Sequence, residues 1–235
     1  MGPHPSVWHG TLNAKPVNPK HELRWNSPAI LQVAVHIAAC VPLALLVLDY
    51  ALDRLGANPI QAITLRTGKT ALVLLVLSLA VTPLATFGWR GAVRLRRPLG
   101  VYAFGYVAVH FLTFIGLDYG FNLAFLRDGL IEKPFALVGL AAGTLLFPLA
   151  LTSTRGWMRR LGRNWKRLHW LVFIAAPLAI VHYVLQVKAD WRQPLLYGLA
   201  VAILIVLRIP AVRRAAAQVS ANLRVRRSRV SGEHR

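Results

Sequence analysis

Apolar runs about as long as a bilayer is thick recur along this chain, and they restrict its backbone more than any other feature. A hydrocarbon core about 30 Å across takes about 20 helical residues to cross. Six runs reach or approach that length: 29–50, 70–88, 99–117, 135–152, 168–187 and 194–209. The sixth has the shortest uncharged core, with Trp191 and Tyr197 as interfacial anchors at its outer end. Backbone polar groups inside a bilayer must be satisfied within the segment, so each run is predicted to be a helix. The expected fold class is an all-α integral membrane protein: a six-helix transmembrane bundle over 29–209, an N-terminal extension over 1–28 and a basic tail over 210–235. With 56% hydrophobic residues, the chain is too apolar for a soluble domain of 235 residues.

A formal charge of +20 raises the question of nucleic acid, and its distribution answers it. Of the 28 Lys and Arg, 21 lie in the N-terminal segment, in the loops after spans two and four, and from span six to the C-terminus. The three opposite loops hold 7. This is the positive-inside pattern, which puts both termini in the cytoplasm and leaves the basic residues facing membrane lipids, with no nucleic acid partner. The first 28 residues lack the apolar core of a cleavable signal, so span one is expected to serve as an uncleaved anchor. Cys40 is the only cysteine, which excludes an intramolecular disulfide. No strand pattern precedes a G-x-G-x-x-G run, so a dinucleotide-binding domain is not expected.

Within the spans the exceptional residues are histidines. An ionisable group at bilayer depth is costly and marks a site, and imidazole is the commonest metal ligand. Spans three and five start from the same side, so His110, 11 residues past 99, and His182, 14 past 168, are each roughly 16 to 21 Å deep. At matched depth the two can clamp one haem, and bis-imidazole ligation suits electron transfer. His169 sits about 20 Å from His182 along span five, placed for a second redox group, with His36 of span one as its candidate partner. Thirteen residues of ideal helix turn His169 and His182 roughly 140° apart, which a kink at Pro177 would have to correct. Prolines 42, 83, 148 and 177 interrupt four of the spans.

Arginines gather below spans three and five: Arg94, Arg96 and Arg97, then Arg159, Arg160, Arg163, Lys166 and Arg167. Converging arginines suit a flavin mononucleotide (FMN) phosphate, a haem propionate or lipid headgroups, and topology alone also places arginines here. Trp165 and Trp170 beside them can stack on a flavin or mark the interface. The same histidines would serve a proton-coupled transporter, yet no acidic residue lies deep in any span, which weakens a proton relay. A structural anchor leaves the buried imidazoles without a purpose.

Four segments carry a family resemblance: LQVAVHIA, RTGKTALVLLVLSLAVTPLA, RRPLGVYAFGYVAVHF and LALTSTRGWMRRLGRNWKRLHWLVFIAAPLAIVHYV. In this order, from about residue 30 to 209, they resemble MsrQ (YedZ), the haem-binding membrane subunits of bacterial periplasmic methionine sulfoxide reductase systems, within the ferric-reductase-like superfamily. The resemblance implies a six-helix inner-membrane cytochrome holding one haem b, or two. Electrons would come from the quinone pool or a cytoplasmic flavin reductase and pass to a periplasmic molybdopterin subunit, MsrP. It implies haem ligation by His110 and His182, His169 as a further ligand, and a flavin-associated arginine at Arg96 with Arg97 adjacent. A quinol-linked b-type cytochrome serving another periplasmic acceptor is the alternative within this class. Residues 1 to about 24 form an extension relative to the family, and the tail is not diagnostic.

Overall fold

A computed structural model describes residues 27–209, together with 212 and 218. The expected basic tail and almost all of the N-terminal extension lie outside the described residues. Nine α-helices are described: α1 (Ser27–Ala51), α2 (Pro59–Thr86), α3 (Arg96–Thr113), α4 (Leu123–Glu132), α5 (Pro134–Leu151), α6 (Arg155–Leu161), α7 (Arg163–Leu168), α8 (Val172–Gln186) and α9 (Arg192–Val206). Five helical stretches are long and apolar enough to cross a membrane: Ile30–Ala51, Pro59–Thr86, Gly91–Asp118, Pro134–Leu151 and Arg163–Gln186. The sixth apolar run forms the shorter Arg192–Val206. Consecutive spans touch, and α2, α3, α5, α8 and α9 close a ring in which α9 returns to α2. Helix α1 packs against α2 and α3 from outside that ring.

Packing follows the logic of a bundle in lipid. Small residues such as Ala103, Ala175 and Ala176 are buried, while Leu196 and Leu199 of α9 are at least 60% exposed. Helices associate in a bilayer through close backbone approach, and their large apolar side chains face the acyl chains. The chain is a multi-pass membrane protein.

Two segments expected as loops are helical. Helix α2 begins at Pro59, well before the expected start at 70, with the Asn58 side chain accepting from the Gln61 N–H as its cap. The threonines, Arg66 and Lys69 lower the hydropathy of this stretch without opposing a helix. Thr64, Thr67 and Thr70 each donate to the carbonyl four residues back, and Arg66 pairs with Asp49 of α1. Between 118 and 134 lies α4, capped by the Asn122 side chain.

Side chains from other segments enter the helix ladders beside two of the prolines. At Pro42 the Tyr106 hydroxyl enters the α1 ladder, donating to the Ala39 carbonyl (2.7 Å) and accepting from the Leu43 N–H (3.0 Å). Pro83 has no N–H for the Leu79 carbonyl, and Arg208 donates to it at 2.7 Å. An inserted side chain of this kind both repairs and fixes a helix bend.

Candidate functional site

His110, near the end of α3, and His182, in α8, stand opposite each other inside the ring. Their imidazole centroids are 6.1 Å apart with planes at 82°. Each ring is tethered through Nδ1 to a main-chain carbonyl of a neighbouring helix. His110 Nδ1 lies 2.9 Å from the Thr64 carbonyl of α2, and His182 Nδ1 lies 2.6 Å from the Phe135 carbonyl of α5. A carbonyl only accepts, so Nδ1 carries the proton and Nε2 keeps its lone pair in both rings.

The two tethers share one construction. Gly68 follows Thr64 by four residues and Gly139 follows Phe135 by four, so each glycine lies one helical turn above the accepting carbonyl. A Cβ on Gly68 would meet the His110 ring at 3.1 Å, and one on Gly139 would meet His182 Nδ1 at 2.7 Å. Each ring thus lies in space that a side chain would fill. Thr67, fully buried, donates to the Ile63 and Thr64 carbonyls and braces the first tether. Lys133, just before α5, is held to the Tyr119 hydroxyl at 2.9 Å, and that bond keeps its ammonium above the ordinary lysine range.

This pair fits an iron porphyrin. An imidazole nitrogen sits about 2 Å from a bound metal and about 1.1 Å from its own ring centre, so rings on opposite faces of one iron have centroids roughly 6 Å apart. Nδ1–H donated to a carbonyl is also the usual second contact of a metal-bound histidine, fixing tautomer and orientation. Among the described residues no group of three or more His, Cys, Asp or Glu could hold a bare metal ion.

The opposite end of the ring is built otherwise. His169 is tethered to its own helical segment: Nδ1–H donates to the Trp165 carbonyl at 3.0 Å, and its ring lies against the Trp165 indole with centroids 3.9 Å apart. Trp165 Nε1 donates to the Thr152 carbonyl at 3.0 Å, which fixes the indole in turn. The residues that act on the His169 ring from other helices are Arg96 and the Leu149 carbonyl. Arg96 is half-buried at the start of α3, where its own carbonyl accepts from Ser78 at 3.0 Å. Arg97 beside it is exposed, as are Arg94, Arg159, Arg160, Arg163, Lys166 and Arg167. Of the arginines singled out in the sequence, Arg96 alone turns inward. Trp170 is 71% exposed and marks a surface.

His36 and His169 do not meet. His36 is exposed on α1, with Nδ1 2.9 Å from the Tyr102 hydroxyl of α3 and its ring edge-on to that tyrosine. The expected opposition of His169 and His182 along one helix is relieved by a 3-10 turn, His169–Leu171, ahead of α8. Three residues at 120° in place of 100° add roughly 60°, which brings the two imidazoles from roughly 140° to roughly 80° apart around the axis.

Sequence reasoning passed over three contributors. The Thr64 carbonyl with Gly68 lay in a supposed loop, although the carbonyl-to-glycine spacing of four recurs at Phe135 and Gly139. Arg208 was absorbed into the topological charge count, and its position inside the sixth apolar run was the available signal. In the structure it lies over Phe173, four residues past His169, and bonds the Leu79 carbonyl, next to the Ser78 that holds Arg96.

Residues 67–180 match the model of the ferric reductase like transmembrane component family. That stretch takes in Gly68, Arg96, His110, Gly139 and His169 and ends two residues before His182. The chain is also similar to proteins described as the protein-methionine-sulfoxide reductase heme-binding subunit MsrQ. The Rhodospirillum rubrum relative is 43% identical over 186 residues, covering 78% of this chain and 89% of that protein. The Herminiimonas arsenicoxydans relative is 41% identical, covering 77% and 84%. The one from Xanthomonas axonopodis pv. citri is 44% identical, covering 74% and 84%. Likeness of this degree over most of both chains makes this protein a member of the MsrQ family of protein-methionine-sulfoxide reductase heme-binding subunits.

Proposed function

We propose that this protein is a membrane cytochrome b subunit that carries electrons across the bacterial inner membrane to a periplasmic molybdopterin methionine sulfoxide reductase of the MsrP kind. The observation that carries this reading is the matched pair of tethered imidazoles, His110 and His182, at the spacing of two ligands on one iron. When bound, the haem b supplies one-electron transfer. His110 of α3 and His182 of α8 would hold it, each Nδ1–H tether leaving Nε2 free to bind the metal.

Reduction of one methionine sulfoxide to methionine and water consumes two electrons and two protons, so the subunit works twice per turnover. The six apolar runs and the basic-loop asymmetry support six crossings with both termini cytoplasmic. The Arg96 end then faces the donor, the quinone pool or a cytoplasmic flavin reductase. Because a guanidinium rather than an imidazole faces His169, FMN suits that end better than a second haem. His169 then contacts the second redox group, and Arg96 binds its phosphate.

Protein purified from haem-replete cells is expected to show a reducible Soret band and about one haem by pyridine haemochrome. His110→Ala and His182→Ala are each expected to remove most of that haem. Undiminished haem in both variants would overturn the ligand assignment, and a colourless wild-type protein would overturn the function.

A further inference from the structure

At the Arg96 end, Arg208 has more donors than partners. It follows α9 and contacts both neighbouring helices, α2 and α8. One Nη donates to the Leu79 carbonyl at 2.7 Å, and the guanidinium lies over the Phe173 ring, 5.2 Å from its centre. Its Nε is buried with no hydrogen-bond partner. A guanidinium has five N–H donors, and an unpaired buried one is costly. Arg208 also lies near Arg96, since the Arg96 carbonyl accepts from Ser78 while Arg208 donates to the carbonyl of the next residue, Leu79. The ion pairs among the described residues are Arg66 with Asp49 and Arg127 with Asp128, so neither cation has a carboxylate partner there. Two like charges held together in an apolar bundle are stabilised by an anion between them.

We infer that Arg208 and Arg96, both held against α2 at Leu79 and Ser78, form an oxyanion clamp four residues along from His169 that takes a phosphoryl or carboxylate group. The clamp deepens the reading of this end as the flavin side, and it assigns a binding role to the end of the sixth helix. Planar guanidiniums accept such groups in pairs of parallel N–H···O bonds, and the orphaned Nε of Arg208 is one donor of such a pair. Three sources supply the group: the phosphate of FMN, a haem propionate or an anionic lipid headgroup.

The competing account is that Arg208 only repairs the carbonyl left open by Pro83. A double variant separates the two, because Pro83→Ala restores a helical N–H to Leu79 while Arg208→Gln removes the clamp. In full-length protein carrying both substitutions, FMN binding is expected to weaken about tenfold or more while riboflavin binding stays unchanged. Pro83→Ala alone is expected to bind both flavins as wild type does. A fall in haem content, or in co-purifying lipid phosphorus, with flavin discrimination unchanged identifies propionate or headgroup as the bound oxyanion and also supports the clamp. Wild-type values for FMN, haem and lipid phosphorus in the double variant would overturn it, as would equal weakening of FMN and riboflavin. These readouts stand apart from the function, which falls if the wild-type protein holds no haem.

Discussion

The two ends of the ring hold imidazoles by different means, and the difference separates a pair of rings tied across helices from a single ring tied to its own helix. At one end two histidines from α3 and α8 are each tethered to a carbonyl of a third or fourth helix, and a glycine above each carbonyl leaves room for the ring. A ligand pair tied to four helices cannot rotate without moving the bundle. At the other end His169 is tethered to its own helix and stacked on Trp165, with two arginines in place of a second imidazole. That arrangement fixes one ring and collects positive charge. On the proposed function the first end would hold a metal and the second would receive an anionic group.

The strongest way to break this comparison is to fill the space above the carbonyls. Gly139→Ala puts a methyl 2.7 Å from His182 Nδ1, closer than real Cβ contacts come, so the ring must leave the Phe135 carbonyl. Overpacking of this kind costs about 1–3 kcal/mol. Haem content by pyridine haemochrome is expected to fall severalfold. Gly68→Ala brings its methyl to 3.1 Å from His110, a contact that a small ring shift relieves, so its loss should be smaller. Equal haem in both variants and wild type would mean that the glycines serve helix packing alone.

A smaller effect sharpens the other end. Arg96 is half-buried and acts on the His169 ring while Arg97 is exposed, although the two are adjacent and carry the same charge. Arg96→Gln is expected to weaken FMN binding about tenfold, as for loss of a charge-assisted contact. Arg97→Gln is expected to change it less than twofold, since an exposed cation contributes little to a specific contact. Fluorescence titration distinguishes the two, and equal effects would show that this end attracts anions by its general field.

Much of this was legible in the sequence because hydropathy and depth are one-dimensional. The apolar runs marked the spans, and counting residues from the basic loops put His110 and His182 at matched depth. The tethers were not legible, because they depend on which helices become neighbours. The Thr64 and Gly68 turn reads as polar, and its threonines satisfy themselves within the helix, which hydropathy does not register. The angular conflict between His169 and His182 was visible, but its relief lies in a 3-10 turn with no proline of its own. Pairing His36 with His169 by depth failed because α1 packs outside the ring, against α2 and α3. Arg208 was hidden by its neighbours, since a basic residue before a basic tail reads as topology.

The smallest expected effect is at His36. Its imidazole is exposed on α1 and bonds the Tyr102 hydroxyl at 2.9 Å. Side-chain hydrogen bonds between membrane helices contribute about 0.6 kcal/mol on average, so His36→Ala should lower the unfolding midpoint only slightly. Tyr102 precedes His110 by eight residues, about 12 Å along α3. Tyr106, between them, remains anchored in the α1 ladder through Ala39 and Leu43, so a disturbance at Tyr102 is stopped before it reaches the clamp. Haem content and the Soret maximum of His36→Ala are therefore expected to match wild type. A loss as deep as that of His110→Ala would make α1 part of the ligand cage, and the contrast between a ring that binds and a helix that leans on it would have to be redrawn.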